Sequence, residues 1–420
     1  MKLFYRHSPL PLVVLLCVVG VASADTATLP QKPVALSLQQ SLLLAQQNNP
    51  QIQGAQATVD AAHAALQGAR SLQNPTLTVS RTFGKDTGSF DEDVILSQLI
   101  GIGKRGPRTR QATRESDVAV AMQYQTLNDL QFAARSAYDE ALQAQAQLDL
   151  SKKTLDVAQA FSDAAKTQFE AGDAPQAQVI RSGIALAQAK QQYQQALNDH
   201  QKKENRLKSL IGMDLLTPLQ LTDTLHFAPV NYDLATLDNY ALEHRPDLQA
   251  ARMRVAAQQA AVGVARSLSK PDLLIEARRA ALSAYPGLPN GSSIRIGCVI
   301  PIFDFGSNRA AVHQAQANAR GQQAQVDEDL RVAQLEVAAA LSDLESAQVA
   351  VQSFDQGRLS NAKQLLDMAQ IGYSHGANSY LELLDAQSVY ATEQANYEQA
   401  LTSWNIALAS LQHALGGKLP

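Results

Sequence analysis

The sequence predicts a mainly α-helical fold with a small β part, a tandem repeat of long coiled-coil helices carrying four strands. Three observations predict it. The chain is written twice, each copy holds one helix as long as two others together, and heptad-spaced apolar positions give way twice to stretches of period two. Asn49-Pro50-Gln51-Ile52 matches Arg245-Pro246-Asp247-Leu248, and Ser71-Leu72-Gln73-Asn74-Pro75 matches Ser267-Leu268-Ser269-Lys270-Pro271, both at an offset of 196. Gly103 and Gln111-Ala112 recur as Gly306 and Gln314-Ala315 at 203. Phe169-Glu170-Ala171-Gly172 recurs as Tyr373-Ser374-His375-Gly376 at 204, as do Tyr193/Tyr397 and Gly212/Gly416. The step of seven, between the proline-led segments and the glycines, places one insertion in a loop.

The elements follow in order. Residues 1–24 read as a signal peptide: Lys2 and Arg6, an apolar stretch Leu10 to Val21, then Ala22-Ser23-Ala24, with cleavage expected before Asp25. Leu16 precedes Cys17 where a lipoprotein signal needs a small residue. The first repeat spans 25–212, with a helix at 38–69, strands at 75–83 and 94–102, and helices at 107–170 and 175–211. A connecting segment, 213–235, leads to the second repeat, 236–420, with a helix at 236–268, strands at 272–279 and 293–302, and helices at 306–372 and 379–415. Pro107 suits a first helical turn. Gly172 supplies a left-handed stop, Asp173 a cap, and Pro175 opens the next helix. In the second repeat Gly376 stops the helix, and Ser379 with Glu382 reads as a capping box.

Helix lengths argue against a compact globule. The helix at 107–170 has 64 residues, roughly 96 Å at about 1.5 Å each, against 69 in its two shorter partners together. In the second repeat 67 residues face 70. A rod or tube needs such matching. Along the last helix Tyr390, Tyr397, Trp404 and Leu411 recur every seven residues, as do Gln394, Leu401, Leu408 and Leu415, which is a coiled-coil seam.

The strands alternate. Leu77, Val79 and Phe83 share one face against Thr76, Thr78, Ser80 and Thr82, with Arg81 breaking the apolar face. Ile294, Ile296, Cys298, Ile300 and Ile302 line a face opposite Arg295, Gly297 and Val299. Val94–Ile102 and Asp272–Arg279 are their partners. Segments of about 9–11 residues suit transmembrane barrel strands. Four strands cannot close a barrel, for which about eight is the floor, so several protomers must contribute; three would give twelve.

Composition bounds the function. The 420 residues are 45% hydrophobic and 18% charged, with a formal charge of −4 that falls to −6 without residues 1–24. No basic excess points to nucleic acid. No run of about 20 apolar residues follows the first 24, which excludes helical membrane spans. Cys298 is the lone cysteine of the mature chain, so no internal disulfide forms despite export.

At this point the sequence resembles the TolC family of outer-membrane efflux channels over essentially the whole mature chain. Tyr373-Ser374-His375-Gly376-Ala377-Asn378-Ser379-Tyr380-Leu381-Glu382-Leu383-Leu384-Asp385-Ala386-Gln387 looks like that family's second-hairpin signature. Leu96-Ser97-Gln98-Leu99-Ile100-Gly101-Ile102-Gly103-Lys104-Arg105 resembles the strand-to-helix junction of the cobalt–zinc–cadmium (CzcC-like) branch. The resemblance implies a homotrimer, with a twelve-stranded barrel among outer-membrane lipid and a twelve-helix periplasmic tunnel, the segment 213–235 lying at its equator. It implies partners too: a periplasmic adaptor and an inner-membrane efflux pump, often of the resistance-nodulation-division class. The family's usual proline-bearing strand end is absent at Leu99-Ile100-Gly101-Ile102 but present at Pro301.

Two catalytic patterns are decoys. Gly101-Ile102-Gly103-Lys104-Arg105-Gly106 fits GxGxxG, but a dinucleotide fold needs a returning parallel strand within about 30 residues. Ser267-Leu268-Ser269-Lys270 fits SxxK without its companion motifs. Histidines 63, 200, 226, 244, 313, 375 and 413 lack paired metal-ligand spacing. No enzyme activity, cofactor or metal site is expected. Glu382 and Asp385 stand three apart on one helix face. In the family signature they match acidic residues that narrow the periplasmic mouth, and threefold repetition would make them rings of like charge. Asp173 is a third candidate for this constriction. The competing role for Glu382 is the cap with Ser379, and for Asp385 the helix dipole. Gly172, Asp173, Pro175, Gly376 and Ser379 form the two turns farthest from the strands and are the expected adaptor-docking tips. The expected function is a passive exit duct for small molecules or metal ions in a tripartite efflux system. A type I secretion duct and a soluble periplasmic coiled-coil scaffold are the alternatives.

Overall fold

The structure, a computed structural model, describes residues 33–83, 90–281, 291–375 and 377–419. The signal-peptide reading, the strand-to-strand loops at 84–89 and 282–290 and Gly376 lie outside the described residues. In chain order the elements are β1 (Val34–Leu36), α1 (Leu38–Asn48), α2 (Pro50–Arg70), β2 (Thr76–Phe83), β3 (Phe90–Gly101), α3 (Arg105–Glu170), α4 (Gln176–Ile211), β4 (Leu219–Leu221), α5 (Leu234–His244), α6 (Pro246–Ser267), β5 (Asp272–Ala281), β6 (Ser292–Val299), α7 (Ser307–Ser353), α8 (Leu359–Ser374) and α9 (Tyr380–Ala414).

The helices expected at 38–69 and 236–268 are each two helices. The breaks fall at Asn49 and Arg245, the residues before Pro50 and Pro246, where both backbones are extended. The proline ring pushes its predecessor out of the helical region, while its missing N–H is harmless at the first position of the next helix. Asn49 caps α2 by accepting the Gln51 N–H at 2.8 Å, and its own amide donates to the Leu210 carbonyl at 2.9 Å. Arg245 instead reaches Asp247 and Glu336, each at 2.7 Å, and donates to the Ala414 carbonyl at 3.1 Å.

The helix expected at 306–372 is interrupted as well. Between α7 and α8, residues Phe354–Arg358 form a π-helical turn in which Gly357 has φ +101°, a left-handed backbone that a Cβ would strain. Buried positions in the two repeats show why. Above the turn they correspond at an offset of 203 (Ala134/Val337, Ala137/Ala340, Ala141/Leu344), and below it at 204 (Ala158/Ala362, Ala165/Ala369). The π turn is the one-residue insertion, taken up inside the helix.

Helix packing runs in one layer. Beside the strands the order is α2, α3, α6, α7; farther along it is α4, α3, α9, α8, with α3 and the α7–α8 rod spanning both stretches. Where the two stretches meet, each repeat buries its own core. Leu130, Tyr138, Leu207 and Ile211 lie in the first; Val337, Leu344, Trp404, Leu411 and Leu415 in the second. The connecting segment belongs here: β4 pairs in parallel with β1, and Phe227 packs edge-on against Trp404 with ring centres 5.2 Å apart.

The strands form one antiparallel sheet in the order β2-β3-β5-β6, leaving β2 and β6 as open edges. Its register puts Leu77, Val79, Val94, Leu96, Ile275, Ile294 and Ile296 on one face. That face is uncovered: Val79 is 70% exposed, Ile294 78% and Ile296 72%. The opposite face carries Thr76 with Ser97 (hydroxyls 2.7 Å apart), Arg278 with Asp93 (2.6 Å) and Arg295 with Glu276 (3.8 Å). Apolar outside and ionic inside is the pattern of a barrel wall facing lipid on one side and water on the other. Among the described residues no helix is long and apolar enough to cross a membrane.

Candidate functional site

The end remote from the sheet consists of two hairpin turns. In the first, the Ala171 N–H returns to the Thr167 carbonyl and the Asp173 N–H to that of Gln168, at 2.8 Å for the latter. Gly172 between them takes φ +83°, as a left-handed stop requires. Asp173 is not the cap of α4. That position falls to Pro175, whose backbone is extended and whose ring offers no acceptor, so Asp173 is left exposed on the turn.

The second turn is built differently. Ser379 caps α9: its hydroxyl accepts the Glu382 N–H at 3.3 Å, and the Glu382 carboxylate accepts the Ser379 N–H at 2.9 Å. The capping box is therefore formed, and Glu382 has one oxygen committed to it. The chain folds back over Gly372, whose carbonyl accepts the N–H groups of both Ala377 and Asn378. A Cβ on Gly372 would stand 2.5 Å from the Asn378 side chain, which lies against this glycine and would have to move aside for any larger residue.

A small apolar cluster fixes α9 to its neighbours. Leu383 and Ala386 are buried with Ala369 beneath Phe161, Leu366 and Tyr373. The rings of Phe161, Tyr373 and Tyr380 pack with centres 5.5–6.2 Å apart. The Tyr380 hydroxyl is buried with no hydrogen-bond partner among the described residues. Burial and the neighbouring Tyr373 push its pKa up. With Leu383 and Ala386 turned into this cluster, Glu382 and Asp385 are on the exposed side of α9, one turn apart. The aromatic trio and Gly372 were not singled out from the sequence. Tyr373 and Tyr380 flanking the turn seven residues apart were the available signal, but Phe161 comes from the other repeat.

Comparison with known proteins follows the same lines. The sequence matches the Outer membrane efflux protein family over residues 42–213 and 237–417, the two repeats. It is 25% identical to the cobalt-zinc-cadmium resistance protein CzcC of Cupriavidus metallidurans, over 94% of this chain and 95% of that one. It is 28% identical to the cation efflux system protein CusC of Escherichia coli K12, over 83% of this chain and 75% of that one. The crystal structure of the Campylobacter jejuni CmeC outer membrane channel superposes with a TM-score of 0.78 at 18% identity, covering 90% of this chain and 85% of the other. With both repeats matched and the long-helix, four-strand architecture shared, the chain belongs to the outer membrane efflux protein family of the bacterial outer membrane.

Proposed function

We propose that three copies of this chain form a passive outer-membrane exit duct for a tripartite efflux assembly, with divalent or other metal cations as its cargo. The supporting observation is the sheet: four strands, apolar outside and ionic inside, with two open edges and a rod of helices beneath. Such a sheet has no stable place in lipid until its edges are paired, and three copies supply twelve strands. The metal reading rests on the similarity to CzcC and CusC. A duct supplies no energy, so an inner-membrane pump and a periplasmic adaptor complete the assembly. Gly172, Asp173, Pro175, Gly376 and Ser379 are the docking tips, and Glu382 and Asp385, with Asp173 as a third candidate, the constriction.

Three carboxylates per ring at the mouth attract cations and repel anions. Replacing Asp385 with Ala should raise single-channel conductance in planar bilayers and weaken block by divalent ions, since Asp385 is no part of the capping box. Glu382→Ala should also loosen the first turn of α9, by about 0.5–2 kcal/mol. Unchanged conductance and block in Asp385→Ala would remove the constriction from this site.

A further inference from the structure

The outward face of the sheet is not apolar throughout, and its charged positions gather at one end. Arg81 of β2 follows Leu77 and Val79 by alternation, Glu92 of β3 stands opposite it, and Arg279 of β5 stands opposite Val94. Both arginines are exposed. Below them, among the described residues, this face carries no further charge down to Ile102, just before α3 begins at Arg105. The arginines of the opposite face are answered by the chain itself, Arg278 by Asp93 at 2.6 Å and Arg295 by Glu276 at 3.8 Å. No ion pair among the described residues holds Arg279.

Strand geometry places the level of these two arginines. Ile102 still joins the ladder, its N–H reaching the Pro271 carbonyl at 3.3 Å. From Ile102 up to Glu92, opposite Arg81, the strand climbs roughly 34 Å at about 3.4 Å per residue. A wall tilted by about 35–45° turns that length into a height of about 24–28 Å, and the apolar band of an outer-membrane barrel is about 25 Å tall. With the helices starting at the lower boundary, Arg81 stands at the upper one and Arg279 two residues below it. A cation is tolerated there and is costly at the midplane. Two strand spacings of about 4.8 Å and two residues along the strand put their Cα atoms roughly 12 Å apart. Side chains as long as arginine can converge on one headgroup across that distance, or bracket two phosphates of one molecule.

We propose that Arg81 and Arg279 bind the phosphate groups of a bisphosphorylated glycolipid of the lipid A type, drawn from the outer leaflet of the membrane. The planar guanidinium fork meets phosphate oxygens two at a time, which a lysine in either place would not do. A headgroup phosphate thus supplies outside the wall the anion that Asp93 and Glu276 supply inside it. Glu92, opposite Arg81, leaves the level net cationic. This rests on the barrel reading above and adds to it the lipid that the wall selects.

The test uses the full-length chain extracted from membranes in mild detergent, with lipid adducts counted by native mass spectrometry. Bisphosphoryl lipid A should bind at up to one molecule per copy. Arg81→Gln with Arg279→Gln should weaken binding by about tenfold or more, and Arg278→Gln, on the inward face, should leave it unchanged. Lipid A stripped of both phosphates should bind the parent chain about tenfold more weakly, a comparison that needs no variant to fold. Phosphatidylglycerol or inorganic phosphate at the same concentration should not displace the intact lipid. Equal binding of lipid A by parent and double variant, or of intact and stripped lipid by the parent, would overturn the site. Displacement by phosphatidylglycerol or by phosphate alone would overturn the glycolipid as its occupant. A chain found in the soluble fraction without detergent would instead sink the barrel reading, and the lipid site with it.

Discussion

α3 runs unbroken for 66 residues from Arg105 to Glu170, whereas its counterpart stops at Ser353, passes through a π turn and resumes as α8. The two rods descend from one segment and do the same work, yet one carries an extra residue. The difference shows how a long helix packed above and below one turn takes up an insertion. A residue added to a regular α-helix rotates everything beyond it by about 100°. Every buried position below would then leave its neighbours. Confining the extra residue to one widened turn restores the phase at Ala362 and Ala369. The turn is held from the side: Arg358 donates to Glu393 at 3.0 Å and stacks over Phe354 at 4.6 Å, and Phe354 meets Tyr397 edge-on. Gly357 supplies the one backbone conformation that needs no Cβ.

Deletions break this comparison most sharply. Removing Gly357 should leave a helix continuous in phase, and trimer yield in detergent extracts should stay within about twofold of the parent. Removing Lys153, an exposed residue of α3, should abolish assembly, because about the last quarter of the rod is turned by about 100°. Equal tolerance of both would mean that the π turn is not where the insertion is absorbed.

The breaks before Pro50 and Pro246 offer a second contrast. Asn49 ties its break with amide hydrogen bonds, Arg245 with a buried guanidinium and two partly exposed carboxylates. Burial opposes the Arg245 charge, and Asp247 and Glu336 more than compensate, so its pKa is raised. Arg245→Ala should lower stability by about 2–3 kcal/mol, below the usual 3–5 for a broken buried pair because both acids can reach water. Asn49→Ala should lose about 1 kcal/mol, the usual worth of a cap. Thermal unfolding of the two variants orders them.

Asp139 offers a third contrast between the repeats. It is 5% exposed with one carboxylate oxygen unpartnered, while its counterpart Ser342 is exposed. Burial raises its pKa to about 6, opposed by Arg135 and reinforced by Asp223. A carboxyl whose folded pKa lies above its unfolded value of about 3.9 binds its proton more tightly in the native state. Its penalty is absent below about pH 4 and grows as pH rises through 6. Asp139→Asn should therefore stabilise the protein at pH 7 by about 1–2 kcal/mol and flatten the fall in stability between pH 4 and 7. A parallel pH profile for variant and parent would show that Asp139 is charged at no penalty.

Much of this architecture was legible in the residues. Matching proline and glycine signals gave the duplication, and hydrophobic period two gave the four strands within a few residues at their ends. The Ser379–Glu382 box could be read locally because its two partners are three residues apart. The breaks at Asn49 and Arg245 are equally local but are masked by apolar periodicity that continues through them; the proline's steric demand on its predecessor decides the backbone. The step from 203 to 204 was visible between Gln314 and Tyr373, yet its location was not.

By itself the sequence determined that there are two repeats, which segments are helix or strand, and which strand face is apolar, because each follows from neighbours along the chain. Tertiary structure alone decided the rest. Asp139 comes under the charge of Asp223 only because the segment between the repeats folds back beside it, and Phe161 reaches Tyr380 only because α3 of one repeat lies along α9 of the other. The π turn sits at Phe354–Arg358 because packing above and below held both phases, leaving the slack one place to go.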